Sequence, residues 1–134
     1  MSKMLTKEVV VSPDAPKAIG PYSAGIKAGP FVFSAGQLGI DPASGNLVEG
    51  GVEAQTRQAL ANLKAILVAA GVDMDAVVKT TVYLQDMGDF ARMNAIYAEF
   101  FSGDYPARTA VQVAALPKGA AVEVEAIAFI PHSH

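Results

Sequence analysis

Between Tyr105 and Ala126 the chain reads YPARTAVQVAALPKGAAVEVEA. Val111 and Val113, then Val122 and Val124, alternate with residues that face the other way, a period of two that belongs to extended strands. Pro117, Lys118 and Gly119 interrupt the pattern, so two β-strands separated by a turn are expected. Arg108 opens the first strand and Glu123 falls early in the second. A guanidinium grips a carboxylate through two parallel hydrogen bonds, and a lone Glu in an apolar strand can hold or deprotonate a water. Together they outline a site for a small acid; the alternative from residue types alone, and the commoner one, is a solvated strand face with a surface ion pair worth at most about 1 kcal/mol. The spacing sets a geometric problem. In a tight hairpin with Ala114 opposite Glu123, Arg108 lies six residues further along, about 20 Å away at ~3.3 Å per residue. Either the two strands are not direct neighbours, or the two charges meet across a subunit boundary.

The 134 residues suit one domain, 1–134, long enough to bury roughly two-thirds of the surface of the unfolded chain. Charged residues make up 17 % and hydrophobic ones 51 %, against about 25 % charged in an ordinary soluble domain. That leaves more apolar surface than a monomer easily hides and points to an oligomer. The net charge of −3, without a cluster of Lys or Arg, argues against nucleic acid or an anionic membrane as partner. There are no cysteines, which excludes disulfides, a thiolate nucleophile and Cys-ligated metal centres. No apolar run approaches the roughly 18 residues of a membrane span, and the N-terminus lacks a signal-like apolar stretch. A cytoplasmic protein is the expectation. His132 and His134 read as a solvated tail and not as metal ligands.

Lys7 to Val11 is β-branched and closed by a turn-rich SPDAP segment, an edge strand. Tyr22 follows, fixed among Gly20, Pro21 and Gly25, and as a side chain it reads as a packed aromatic with its hydroxyl at the surface. Ile26–Ala28 and Phe31–Ala35 form a hairpin around Gly29 and Pro30, with FVFSA apolar enough to be central. Gly36 and Gln37 come next, where a glycine either admits a ligand to the backbone or marks a bend or bulge. Apolar residues recur at helical spacing from Val52 to Ala70, with Gly71 as a stop. Val77–Leu84 is a long strand, and Asp86 or Asp89 caps a second helix from Phe90 to Phe101. Its stripe of Phe90, Met93, Ile96, Tyr97 and Phe100 reads as core, while Asn94 lies outside it and faces solvent or a cleft. The order predicts an α+β sandwich, a mixed six-stranded sheet with two helices on one face. Ala110 and Ala114 are expected on the other face, where another subunit can approach closely in a closed homo-oligomer.

Three stretches, IGPYSAG at Ile19–Gly25, SAGQLG at Ser34–Gly39 and the segment from Tyr105 to Ala128, resemble the RidA (YjgF) family of reactive-intermediate deaminases. KTTVYLQDMGDFARMNAIYAEFF, Lys79–Phe101, is similar to the same family, so the likeness spans nearly the whole chain. The resemblance implies a chorismate-mutase-like fold, a homotrimer with sites between subunits, and last strands that are not simple neighbours. It implies that Arg108 binds the substrate carboxylate, that Glu123 is the acidic group near the attacked carbon, and that Tyr22, Ala35, Gly36, Gln37 and Asn94 complete the binding set. Many members carry Ser at Ala35 and Cys at Ala110. Without the Ser hydroxyl, main-chain N–H groups near Gly36 are left to meet the ligand.

The activity implied is hydrolysis of short 2-imino or enamino acids, such as 2-aminoacrylate and 2-iminobutanoate, to 2-oxo acids and ammonia. It needs no metal, cofactor or covalent nucleophile, since a protonated imine is already electrophilic. The alternative is a non-catalytic trimer that binds a small carboxylate or regulates a partner. That reading needs Arg108 alone, whereas turnover also needs Glu123. A ribonuclease role fits poorly with the acidic charge balance and the absence of a basic, aromatic-studded face.

Overall fold

The computed structural model describes residues 6–131, which leaves His132 and His134 outside. The extended stretches become β1 (Lys7–Val10), β2 (Gly25–Ala28), β3 (Phe31–Ser34), β4 (Gln37–Leu38), β5 (Val77–Leu84), β6 (Ala107–Gln112) and β7 (Val122–Phe129). The helical periods become α1 (Gly51–Ala69) and α2 (Phe90–Ala98). Among the described residues the sheet therefore has seven strands, one more than the sequence predicts. The extra strand arises because Ala35 and Gly36 step out of the ladder and Gln37 returns to it, so that β3 and β4 both pair with β7. Ser34 Oγ accepts the Ala126 N–H at 3.0 Å across the break, which keeps a buried donor satisfied.

The strand order is β1-β2-β3-β7-β5-β6, with β4 continuing beside β7. All pairings are antiparallel except β5 with β6, which run parallel on either side of the α2 crossover. The last two strands are thus separated by β5, which removes the spacing problem of a simple hairpin. Lys118, at φ 60, turns the chain between them. α2 stops at Ala98, short of Phe101, because Glu99 and Phe100 donate to Ile96 and Tyr97 in the tighter three-residue pattern.

Both helices pack on one face. Leu60, Leu63, Ile66 and Leu67 of α1 meet Val32, Val82, Val122, Val124 and Ala128 of the sheet, all fully buried. Each Leu, Ile or Val among them contributes about 1.5–3 kcal/mol relative to exposure. Polar groups pin the loop after β4 to this layer: buried Asn62 donates Nδ2 to Leu38 O at 3.1 Å and Ile40 O at 2.9 Å, and accepts from Gln58 at 2.8 Å. Gln55 Oε1 accepts the Ala121 N–H just before β7. A Cβ on Gly39 would stand 2.6 Å from Gln55 Cα, so the loop reaches α1 only because that residue is glycine.

The opposite face carries Phe31, Phe33 and Phe129, with ring centroids 6.3 and 6.2 Å apart, all partly exposed. No helix covers it among the described residues. Ala110 does not belong to this face. It follows Arg108 by two residues and packs against the core on the helix side, while Ala107, Thr109 and Val111 of β6 are the exposed ones. The parallel register with β5 decides this, because Ala110 stands opposite fully buried Val82.

Candidate active site

Arg108 is opposite Thr80 on β5, and Thr80 is fully buried on the helix side. The guanidinium therefore rises toward α2, where Phe90, Asn94 and Tyr97 follow one another at i, i+4 and i+7 on one helix face. Arg108 Nη1 donates to Asn94 Oδ1 at 2.7 Å. Its Cζ lies 4.8 Å from the centroid of the Tyr97 ring and 5.4 Å from that of Phe90. None of the four ion pairs among the described residues includes Arg108. A half-buried guanidinium with one neutral hydrogen-bond partner and two aromatic faces keeps its whole charge and most of its in-plane donors for an incoming anion.

Phe90 and Tyr97 were expected to be core, and Tyr97 does belong to the buried core with Phe90 packed against it. They are also the bed of this cation, a second role whose signal lay in their spacing around Asn94. Tyr97 is buried, and its hydroxyl shares a hydrogen bond of 2.7 Å with Thr80 Oγ1. Burial pushes the Tyr97 pKa up, with the Thr80 bond and the Arg108 charge acting in the opposite sense.

Glu123 stands opposite Tyr83 and Leu38, on the face away from the helices. Burial pushes its carboxyl pKa up, and the neighbouring Glu125 charge adds to the rise. Tyr83 donates its hydroxyl to Glu125 Oε2 at 3.1 Å. The Glu123 carboxyl rests on Gly36: a Cβ there would lie 1.8 Å from Oε2 and 2.7 Å from Cδ. Gly36 is not among the glycines with positive φ, so its backbone would accept any residue. Space for the carboxylate is what requires glycine.

The remaining residues gather at the Glu123 end of the sheet. Ala35 donates its N–H to Ala24 O at 2.8 Å, which ties the Tyr22 loop to the start of β4. That N–H is consequently engaged and not free for a ligand. Gln37 is buried, with its amide turned back toward Ala35 O at 3.5 Å, so it braces the 35–37 turn. Tyr22 is 52 % exposed, its hydroxyl 3.5 Å from the Ile19 N–H. Among the described residues no three His, Asp or Glu side chains come together as a metal-binding group.

The structure thus holds two separate groups of the expected residues in one chain. Arg108 and Asn94 form one, with their aromatic bed; Glu123 on Gly36 forms the other. Arg108 and Glu123 sit opposite positions of β5 three residues apart, about 10 Å along that strand, and on opposite faces of the sheet. Two open hollows of the chain, about 410 and 450 Å³, lie along α1 and near its C-terminal end, and neither includes either residue.

The sequence profile of the family described as Endoribonuclease L-PSP matches residues 12–130. The chain belongs to this family, the RidA (YjgF) family. Within it, the chain is 57 % identical over 123 residues to a RutC family protein of Pyrococcus horikoshii, covering 92 % of this chain and 98 % of that one. It is 53 % identical over 128 residues to the 2-iminobutanoate/2-iminopropanoate deaminase of Mus musculus, covering 96 % and 94 %. Among solved structures, E. coli TdcF with bound serine superposes with a TM-score of 0.89 at 42 % identity, covering 92 % of this RidA-family chain and 99 % of TdcF.

Proposed function

We propose that this chain hydrolyses short 2-imino acids to the 2-oxo acid and ammonia, in clefts that two copies of a homotrimer share. The observation that carries the reading is the Arg108 guanidinium, in no ion pair among the described residues and braced by Asn94 and two rings. A substrate carboxylate taken there in a bidentate pair places the adjoining imine carbon. Glu123, its pKa raised by burial, accepts a proton from water as the oxygen adds to that carbon and returns it to the nitrogen. The carbinolamine then collapses to the C=O bond with loss of ammonia. Curated relatives named for this deamination, at about half identity over nearly the whole chain, support the reaction, and a relative holding serine supports a small carboxylate as ligand.

The placement of Arg108 and Glu123 on opposite faces supports a shared cleft, because one chain cannot turn both toward one small molecule. The apolar face with Phe31, Phe33 and Phe129 supports a second copy as its cover. The reading requires neither a nucleic-acid nor a membrane partner; no helix of the described residues is long and apolar enough to cross a membrane.

The test is subunit mixing. Arg108→Ala and Glu123→Gln are each expected to lose deamination of an imino acid generated in situ. Unfolded together at equal concentration and refolded, they should recover activity in about a quarter of sites, those with an intact Arg108 from one copy and an intact Glu123 from the next. Full turnover by Arg108→Ala alone rejects the clamp, and no recovery on mixing rejects the shared cleft.

A further inference from the structure

We infer that Tyr97 is the positioning residue that sets the plane of the Arg108 guanidinium, with Phe90 as the second wall and Thr80 as its anchor. The inference rests on the reading of Arg108 as the carboxylate clamp. The three groups close a triangle across three elements: Thr80 and Arg108 are register partners on β5 and β6, Thr80 Oγ1 holds the Tyr97 hydroxyl at 2.7 Å, and the Tyr97 ring lies 4.8 Å from Arg108 Cζ. The ring itself is fixed from behind, since Phe101 packs against it at a centroid distance of 4.8 Å. With its hydroxyl and its ring both constrained, Tyr97 does not follow the arginine; the arginine follows Tyr97.

Aromatic walls do something here that a carboxylate counter-ion would not. A nearby Asp or Glu would stabilise the guanidinium but occupy the in-plane N–H donors that a substrate carboxylate needs. The ring quadrupole attracts the cation through its flat face and leaves the edge free. Asn94, a neutral acceptor on the same helix face, takes one donor of the five and fixes rotation within the plane. The cradle therefore stabilises Arg108 without neutralising it, and orients the free edge before substrate arrives.

The expected signature is a split between KM and kcat. Tyr97→Leu removes the ring and should weaken 2-oxobutanoate binding and raise the imino-acid KM about tenfold, between the effects of losing an exposed and a fully desolvated cation–π contact, with kcat changed far less. Tyr97→Phe keeps the ring, still packed by Phe101, and loses only the Thr80 bond, so KM should stay within about threefold of the parent; a KM as high as in the Leu variant would show that the hydroxyl bond and not the ring positions the arginine, and overturn the cation–π role. Phe90→Leu, at a half-buried position, should raise KM in the same direction and carries the test if Tyr97→Leu does not fold. Calorimetric titration with 2-oxobutanoate and steady-state deamination give the two readouts. Unchanged KM in both Leu variants, beside an inactive Arg108→Ala, overturns the role of the rings. Equal activity of Arg108→Ala and the parent instead overturns the clamp on which this inference rests.

Discussion

Gly36→Ala is the substitution whose consequence the geometry specifies most closely. The new methyl would stand 1.8 Å from Glu123 Oε2, and ordinary van der Waals contact begins at 3.4 Å, so the carboxyl oxygen has to retreat by about 1.6 Å. The backbone raises no objection, because Gly36 lacks a positive φ. The clashing atom is also the far end of a flexible side chain, which can swing aside. Stability should therefore be unchanged or improved by about 0.4–1 kcal/mol, since alanine restricts the unfolded chain. Activity should fall about 100-fold, the usual effect of displacing a reacting group by more than 1 Å. The assay is deamination of an imino acid released by an amino-acid oxidase, with semicarbazide capturing whatever imine escapes, alongside urea denaturation. In the double variant with Glu123→Gln the two losses should not add, because both remove the same carboxylate from the same place. Parent-like turnover by Gly36→Ala would refute the assignment of Gly36 as the seat of Glu123. A large loss of stability would refute the claim that only the side chain must move.

Two further outcomes follow from the same structure. Because burial and then Glu125 hold the Glu123 pKa above its unfolded value, the folded state binds more protons than the unfolded one between those two values, and stability falls as pH rises through that window. Glu123→Gln should accordingly be more stable than the parent at neutral pH, with the gap closing on acidification toward the ordinary carboxylate range; urea titrations across pH would show the opposite trend if Glu123 were instead favourably paired. Asn62→Leu leaves the Leu38 and Ile40 carbonyls without their buried donors and should lower stability by about 2–4 kcal/mol in chemical denaturation; a loss under about 0.5 kcal/mol would mean that water replaces the amide.

Local patterns carried much of the architecture. The helical spacing from Val52 to Ala70 brackets α1 within one residue at either end, and the edge position of β1 follows from its short, turn-bounded run. α2 was read three residues too long, because the apolar pattern continues through Phe101 although the backbone bonding tightens after Ala98. The seventh strand went unread because two residues, Gln37 and Leu38, show no period at all. Its existence depends on β7 lying alongside, and on Ser34 filling the gap in the ladder. Ala110 was given to the wrong face for a related reason. Alternation within a strand tells which residues share a side, but the register with β5 decides which side that is.

The chain's own order of residues determined which groups have chemistry to offer: a single arginine opening an apolar strand, two glutamates alternating with valines in the next, and glycines where the backbone must turn or make room. These are properties of residue type and short-range period, and they survive without a fold. Only the tertiary structure decided what those groups do to one another. Inserting β5 between the last two strands sends Arg108 to the helices and Glu123 to the bare face, because each inherits the side of its partner on β5. The aromatic bed of Arg108 and the seat of Glu123 on Gly36 likewise join residues distant in sequence, and contacts of that kind exist only once the sheet has formed.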